Sequence, residues 1–257
     1  MRQHLLGPRK TRRDTDTWLT RNGIVESRKN RLTFPWKSPK LRRSHDNQFG
    51  GISVMINVSR VLDLHETTVR IWHEQPISLG ATGVYGLIEQ QHEFNYRLWH
   101  QEDIARCPNA SDEEIAKVKR SIDTLNQNRN DWIEKVDEWI VGDVAEQRVS
   151  PATDARMNTE TPGSVIDRLS ILSLRIYHLN EQLMREEAEE ELLLSVENKV
   201  AVANLQKQHL ATSLEELLTD IYSGAKRHQT YRQMKMYNDP RLNPYLIAAA
   251  EARKQVA

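Results

Sequence analysis

The sequence predicts an all-α protein, a single helical bundle of about six helices behind a basic N-terminal tail expected to stay disordered. Three observations predict it. From Met55 onward, apolar residues recur at three- and four-residue steps, the spacing that lines one face of a helix. Glycine and proline fall mostly between those periodic stretches, which argues against a turn-rich all-β fold. Several stretches also open on recognisable helix-start signals.

The first helix is expected over about 59–73, with Ser59 as its cap and Val61, Leu62, Val69 and Trp72 turned inward. A loop with Pro76, Gly80 and Gly83 follows, then a second helix over about 85–106 that ends at Cys107-Pro108. The third opens on a capping box, Ser111 with Glu114, in which each side chain satisfies the other residue's backbone N–H. Its apolar seam is Ile115, Val118, Ile122, Leu125, Trp132, Val136 and Trp139. A polar loop over about 142–160 leads to Thr161-Pro162, a cap followed by proline at the first helical position. The fourth seam is Val165, Leu169, Leu172, Ile176, Leu179 and Leu183. An acidic run over 186–191 is a solvated face or a break. A fifth helix is expected over about 192–210. A sixth starts at Ser213 with Glu216 as a second capping box and runs on through His228 and Lys235 to Asn238-Asp239-Pro240, and a short terminal helix starts at Pro244.

Residues 1–54 carry thirteen Lys and Arg against four acidic residues and show no periodicity. Such a segment buries too little apolar surface to offset its ordering entropy. It is expected to be a disordered tail, or an upstream translation artefact ahead of a true start at Met55, with residues 55–257 as the domain. Trp18 and Phe34-Pro35-Trp36 could stack on bases while the cations meet phosphates, but a disordered tail or an artefact is the expected reading, so nucleic acid is not the expected partner. No run approaches the ~20 apolar residues of a membrane span. Cys107 is the single cysteine, which excludes an internal disulfide or a zinc site built on paired cysteines and fits a cytoplasmic protein.

Polar groups interrupt the apolar faces at three places. Arg129 occupies the seam position between Leu125 and Trp132. Arg168, Arg175, His178 and Gln182 share a face of the fourth helix, with Asp167 beside Arg168. His228, Tyr231, Arg232 and Lys235 follow the last apolar stretch. Each has a plain structural account: a bundle end or an internal ion pair, a solvated face, or a helix leaving the bundle. Each is also rich in guanidinium or imidazole, suited to phosphate or carboxylate. The fourth helix's start, with Thr161, Gly163 and Ser164, adds free N–H groups that favour an anion. Because facing seams meet, Asp103, Arg129, Asp167, Arg168 and one of Arg232 or Lys235 are expected to gather in one cluster.

His100 with Asp103 and His178 with Glu181 each span i, i+3 on one helix. Their order reverses the Glu-x-x-His of di-metal bundles, and no bridging carboxylates are evident, so no metal site is expected. An aliphatic–aromatic–histidine triplet occurs three times, as Ile71-Trp72-His73, Leu98-Trp99-His100 and Ile176-Tyr177-His178, and reads as packing or chance. A nucleophile elbow, a phosphate loop and a dinucleotide fingerprint are all missing.

Three longer blocks carry a family resemblance: Trp99 to Arg106 (WHQEDIAR), Asn158 to Leu172 (NTETPGSVIDRLSIL) and Lys235 to Pro244 (KMYNDPRLNP). Over about Met55 to Tyr245 the chain resembles the bacterial family catalogued as domain of unknown function 4254. The resemblance implies a bacterial helical protein and supplies no activity or cofactor. Two readings of function stand side by side. One is a site between helices for an anionic small molecule, phosphorylated or nucleotide-sugar, with His100, Asp103 or His178 as catalytic candidates and Arg129, Asp167, Arg168, Arg175, Arg232 and Lys235 at the ligand. The other is a non-catalytic interaction or accessory protein with structural polar networks.

Overall fold

The computed structural model describes residues 48–49, 52–53 and 56–256. The N-terminal tail expected to be disordered lies outside the described residues, save for strands β1 (Gln48–Phe49) and β2 (Ile52–Ser53), which pair antiparallel. The described residues form six α-helices: α1 (Val58–Glu74), α2 (Val84–Ile104), α3 (Asp112–Glu146), α4 (Pro162–Leu183), α5 (Glu190–Tyr222) and α6 (Pro244–Val256). Two further two-residue strands, β3 (Arg156–Met157) and β4 (Lys226–Arg227), pair in parallel. No helix among the described residues is long and apolar enough to cross a membrane.

The start signals are sound at α3 and α4. Ser111 accepts from the Glu114 N–H while Glu114 accepts from that of Ser111, and Thr161 caps Ser164 with Pro162 next to it. At α1 the cap is Asn57, not Ser59; its Oδ1 accepts from the Arg60 N–H at 2.9 Å. The second capping box does not form. Ser213 lies exposed inside α5, a single helix from Glu190 to Tyr222. Val196, Ala203, Ala211, Leu214, Leu218 and Ile221 are all buried along it, so one continuous apolar face carries the helix through the serine. Ser111→Ala is therefore expected to cost about 1 kcal/mol. Ser213→Ala is expected to be neutral or stabilising by up to about 0.5 kcal/mol, as for an exposed helix interior. Urea denaturation of the two variants checks both.

The helix also stops earlier than its polar continuation suggested. Gly224 follows at φ +76°, a left-handed conformation suited to glycine, and the chain leaves α5 into β4. His228, Tyr231, Arg232 and Lys235 therefore do not share a helix face. From there the chain runs along α3, with Arg232 on Glu138 and the Gln233 N–H on Glu134.

Helices α1, α2 and α4 run parallel. The Asn57 N–H donates to the Tyr85 hydroxyl at the start of α1 and α2, and further along both helices the Tyr96 hydroxyl donates to the Trp72 carbonyl. Residues 75–83 return the chain along the bundle to make this possible. Glu89 pins that return by accepting from the N–H groups of Gly80 and Ala81 at 2.9 and 2.7 Å. Helix α3 opposes α4, since Asp137 meets Gly163 while Arg129 meets Asp167.

The apolar core occupies the N-terminal end of the three parallel helices. Val58, Val61 and Leu62 of α1 pack there with Val84 and Ile88 of α2 and Val165, Ile166 and Leu169 of α4. Each such side chain contributes about 1.5–3 kcal/mol of burial. Toward the C-terminal ends the interior becomes polar in two levels. His65, His92 and Ser170 form the first, and His73, His100 and His178 stand eight residues further along each helix, about 12 Å at 1.5 Å per residue.

Candidate metal centre

The outer level brings the three triplet histidines together. Their ring centroids lie 5.0 Å (His73–His178), 5.2 Å (His73–His100) and 5.6 Å (His100–His178) apart. One ring nitrogen from each lies within 4.8 Å of those of the other two. The hydrogen bonds identify which nitrogen is available. Nδ1 of His73 lies 2.6 Å from the Val69 carbonyl, and Nδ1 of His100 lies 2.8 Å from that of Tyr96. Nδ1 of His178 lies 2.7 Å from the Glu181 carboxylate. Carbonyl and ionised carboxylate oxygens only accept, so each Nδ1 carries a hydrogen and Nε2 is the nitrogen that holds the lone pair whenever the ring is neutral. Among the described residues, the buried Nε2 atoms of His73 and His178 have no hydrogen-bond partner.

Aromatic rings hold the imidazoles in place. Tyr177 stacks on His73 at 4.1 Å, Trp99 lies parallel over His178 at 4.9 Å, and Tyr96 sits beside His73 and His100. Burial lowers the His178 pKa below the ordinary imidazole value, against the raising effect of Glu181, so its ring is neutral at pH 7. Three imidazoles with tied-back Nδ1 hydrogens are a donor set that suits zinc and its neighbours, and Glu181 stands as the outer partner that orients one ligand.

At the inner level, hydrogen bonds gather on Ser170 and Asp167. His92 Nδ1 and the Ser170 hydroxyl are 2.6 Å apart, and Asn95 donates to both Ser170 and Asp167 at 2.9 Å. Gln91 donates to the same Asp167 oxygen at 2.5 Å, with Arg129 Nε at 3.7 Å. Burial pushes the Asp167 carboxyl up; Arg129 and the two amides hold it down. Charge and amides together make burial of this carboxylate tolerable.

Of the residues expected to cluster, only Asp167 and Arg129 meet. Arg168, one position on from buried Asp167, turns outward to pair with Glu160 at 2.8 Å on the surface. Arg175 and Asp103 are exposed, Arg232 pairs with exposed Glu138, and Lys235 lies on the segment beyond β4. Arginines flanking a seam point away from it, because one residue turns a helix by about 100°. The start of α4 is not free for an anion either. Asp137, buried in α3, accepts from the Gly163 N–H at 2.8 Å and occupies it. The i, i+3 pairs divide in the same way: Glu181 joins the histidines through Nδ1 of His178, and exposed Asp103 has no part in the set. His73 was the member that sequence reasoning left aside. The threefold aromatic–histidine triplet was the one signal that contained it.

A family model described as protein of unknown function (DUF4254) matches residues 85–230, more than half of the chain. The chain belongs to this family. The matched DUF4254 region contains His100 and His178, while His73 lies just ahead of it on α1. Neither a curated protein nor a solved structure matches the chain.

Proposed function

We propose that this DUF4254 protein binds one divalent transition-metal ion through Nε2 of His73, His100 and His178, and acts through that centre. The supporting observation is that three imidazoles bring ring nitrogens within 4.8 Å of one another while each Nδ1 is engaged by an oxygen of its own helix. A buried polar atom without a partner costs about 1–3 kcal/mol, and a shared metal ion removes that cost for His73 and His178 at once. A phosphorylated or nucleotide-sugar ligand gripped by Arg129, Arg168 and Arg232 finds less support, because those arginines are spread over separate ion pairs. The reading of a structural polar network suits the inner level, where Asp167 is ringed by donors from α2 and α3.

The test is a Zn²⁺ titration of the chelator-stripped full chain against a chromophoric competitor. One ion per chain is expected. His73→Ala, His100→Ala and His178→Ala should each weaken binding strongly, with circular dichroism confirming that the variants fold. Glu181→Gln should weaken it about 10–100-fold, as loss of an outer partner does. Affinity should fall on acidification, since protons compete for the same lone pairs. Binding that persists in the triple alanine variant, or none in the parent chain, refutes the reading.

A further inference from the structure

We infer that the metal held by His73, His100 and His178 keeps a fourth, exchangeable position, and that this position takes the oxyanion of a phosphate- or carboxylate-bearing small molecule. The inference rests on the metal-binding reading above and adds what the ion binds in turn.

Among the described residues, the set of metal-ligating side chains that meet here is three histidines. Two oxygen-bearing groups close by are already used. Glu181 is turned onto Nδ1 of His178, and the Tyr96 hydroxyl donates to the Trp72 carbonyl. A zinc-like ion prefers four ligands, and three protein ligands with an exchangeable water are the arrangement of catalytic rather than structural sites. Charge favours an anion as well. All three ligands are neutral imidazoles, so the ion keeps its full double charge and attracts an anion. Such an ion also brings its bound water to a pKa of about 7, so hydroxide and oxyanion compete for one position.

The set lies toward the C-terminal ends of its three helices. His73 lies one residue from the end of α1, His100 four from the end of α2, and His178 five from the end of α4. All three side chains are half-buried, unlike His65 and His92 of the inner level, which solvent does not reach. Trp99, itself half-buried, stands as a flat wall beside His178. The anion site expected from the sequence among the arginines thus moves to the histidines, where the charge is that of the metal.

The experiment uses the full chain loaded with Co²⁺, whose visible spectrum reports coordination. Inorganic phosphate and acetate are added in separate titrations, and the pH is varied from acid to mildly alkaline. The expected result is a spectrum that changes saturably with oxyanion, and with pH through one ionisation near neutrality that the bound anion suppresses. A response to phosphate alone assigns a phosphate ligand, and a response to acetate assigns a carboxylate. Stoichiometric Co²⁺ whose spectrum ignores both anions and pH overturns the open position while leaving the metal site standing. Failure to bind Co²⁺ or Zn²⁺ at all overturns the metal reading and this inference with it.

Discussion

Lowering the pH from 7 to 5 is expected to remove about 4 kcal/mol of folding stability through two residues, His65 and His92. Both are fully buried, with ring centroids 4.5 Å apart, and neither ring nitrogen of His65 has a partner among the described residues. Burial lowers the His92 pKa to about 3, against a raising effect from the His65 backbone. Burial, then His92 and Lys207, lower that of His65 well below the ordinary value. The sign follows. In the unfolded chain both imidazoles take up protons below about pH 6.5, while in the folded chain they stay neutral. Their stabilising effect is thus complete above the unfolded pKa and is lost as pH falls toward the folded values. Each contributes a slope of about 1.36 kcal/mol per pH unit over that window. The buried carboxyls of Asp137 and Asp167, pushed up by burial, act in the opposite sense. Comparison with His65→Gln isolates one imidazole. Urea unfolding with chelator present should show the stability lost between pH 7 and 5 reduced by about 2 kcal/mol in the variant. An unchanged loss would mean that His65 takes up its proton inside the fold and contributes no such stability.

Gly163→Ala is expected to cost about 3 kcal/mol, the upper end for overpacking a closed contact. The reason is space. A Cβ on Gly163 would come within 2.7 Å of the Ile133 carbonyl oxygen and 2.8 Å of Asp137 Oδ2. The first is backbone of α3 and cannot move without the helix. The second belongs to the carboxylate that accepts from the Gly163 N–H, so displacing it also strands a buried hydrogen bond. Gly142→Ala is the control. Gly142 lies within α3 with nothing near its would-be Cβ, and alanine there should stabilise by about 0.5–1 kcal/mol. Opposite signs from the same chemical change, read by denaturant midpoints, would establish that α3 and α4 touch backbone to backbone at this point. A neutral Gly163→Ala would show that the contact yields.

The Thr161-Pro162-Gly163-Ser164 stretch shows where sequence reasoning reaches and where it stops. Its helix-start chemistry is local: Thr161 accepts from Ser164, proline fits the first position, and α4 begins there. The seams of α3 and α4 were legible for the same reason, since each rests on residues three and four apart in one chain. What the free N–H groups face was not legible, because Asp137 stands 26 residues away. At Ser213 even local chemistry misled. The capping pattern was present, but the buried face of α5 ran through it, and packing outweighs a cap worth about 1 kcal/mol.

The amino-acid order alone determined the helical class, most of the apolar seams, the starts of α3 and α4, and the presence of three aromatic–histidine pairs on three helices. The tertiary structure decided what those pairs mean. His73, His100 and His178 meet because α1, α2 and α4 run parallel in one register, and α1 and α2 are parallel only because residues 75–83 return along the bundle under the grip of Glu89. Periodicity reports which way a side chain points around its own helix. It carries no information on the level at which that helix stands beside another, since that offset is set by connections and contacts between residues distant in the chain.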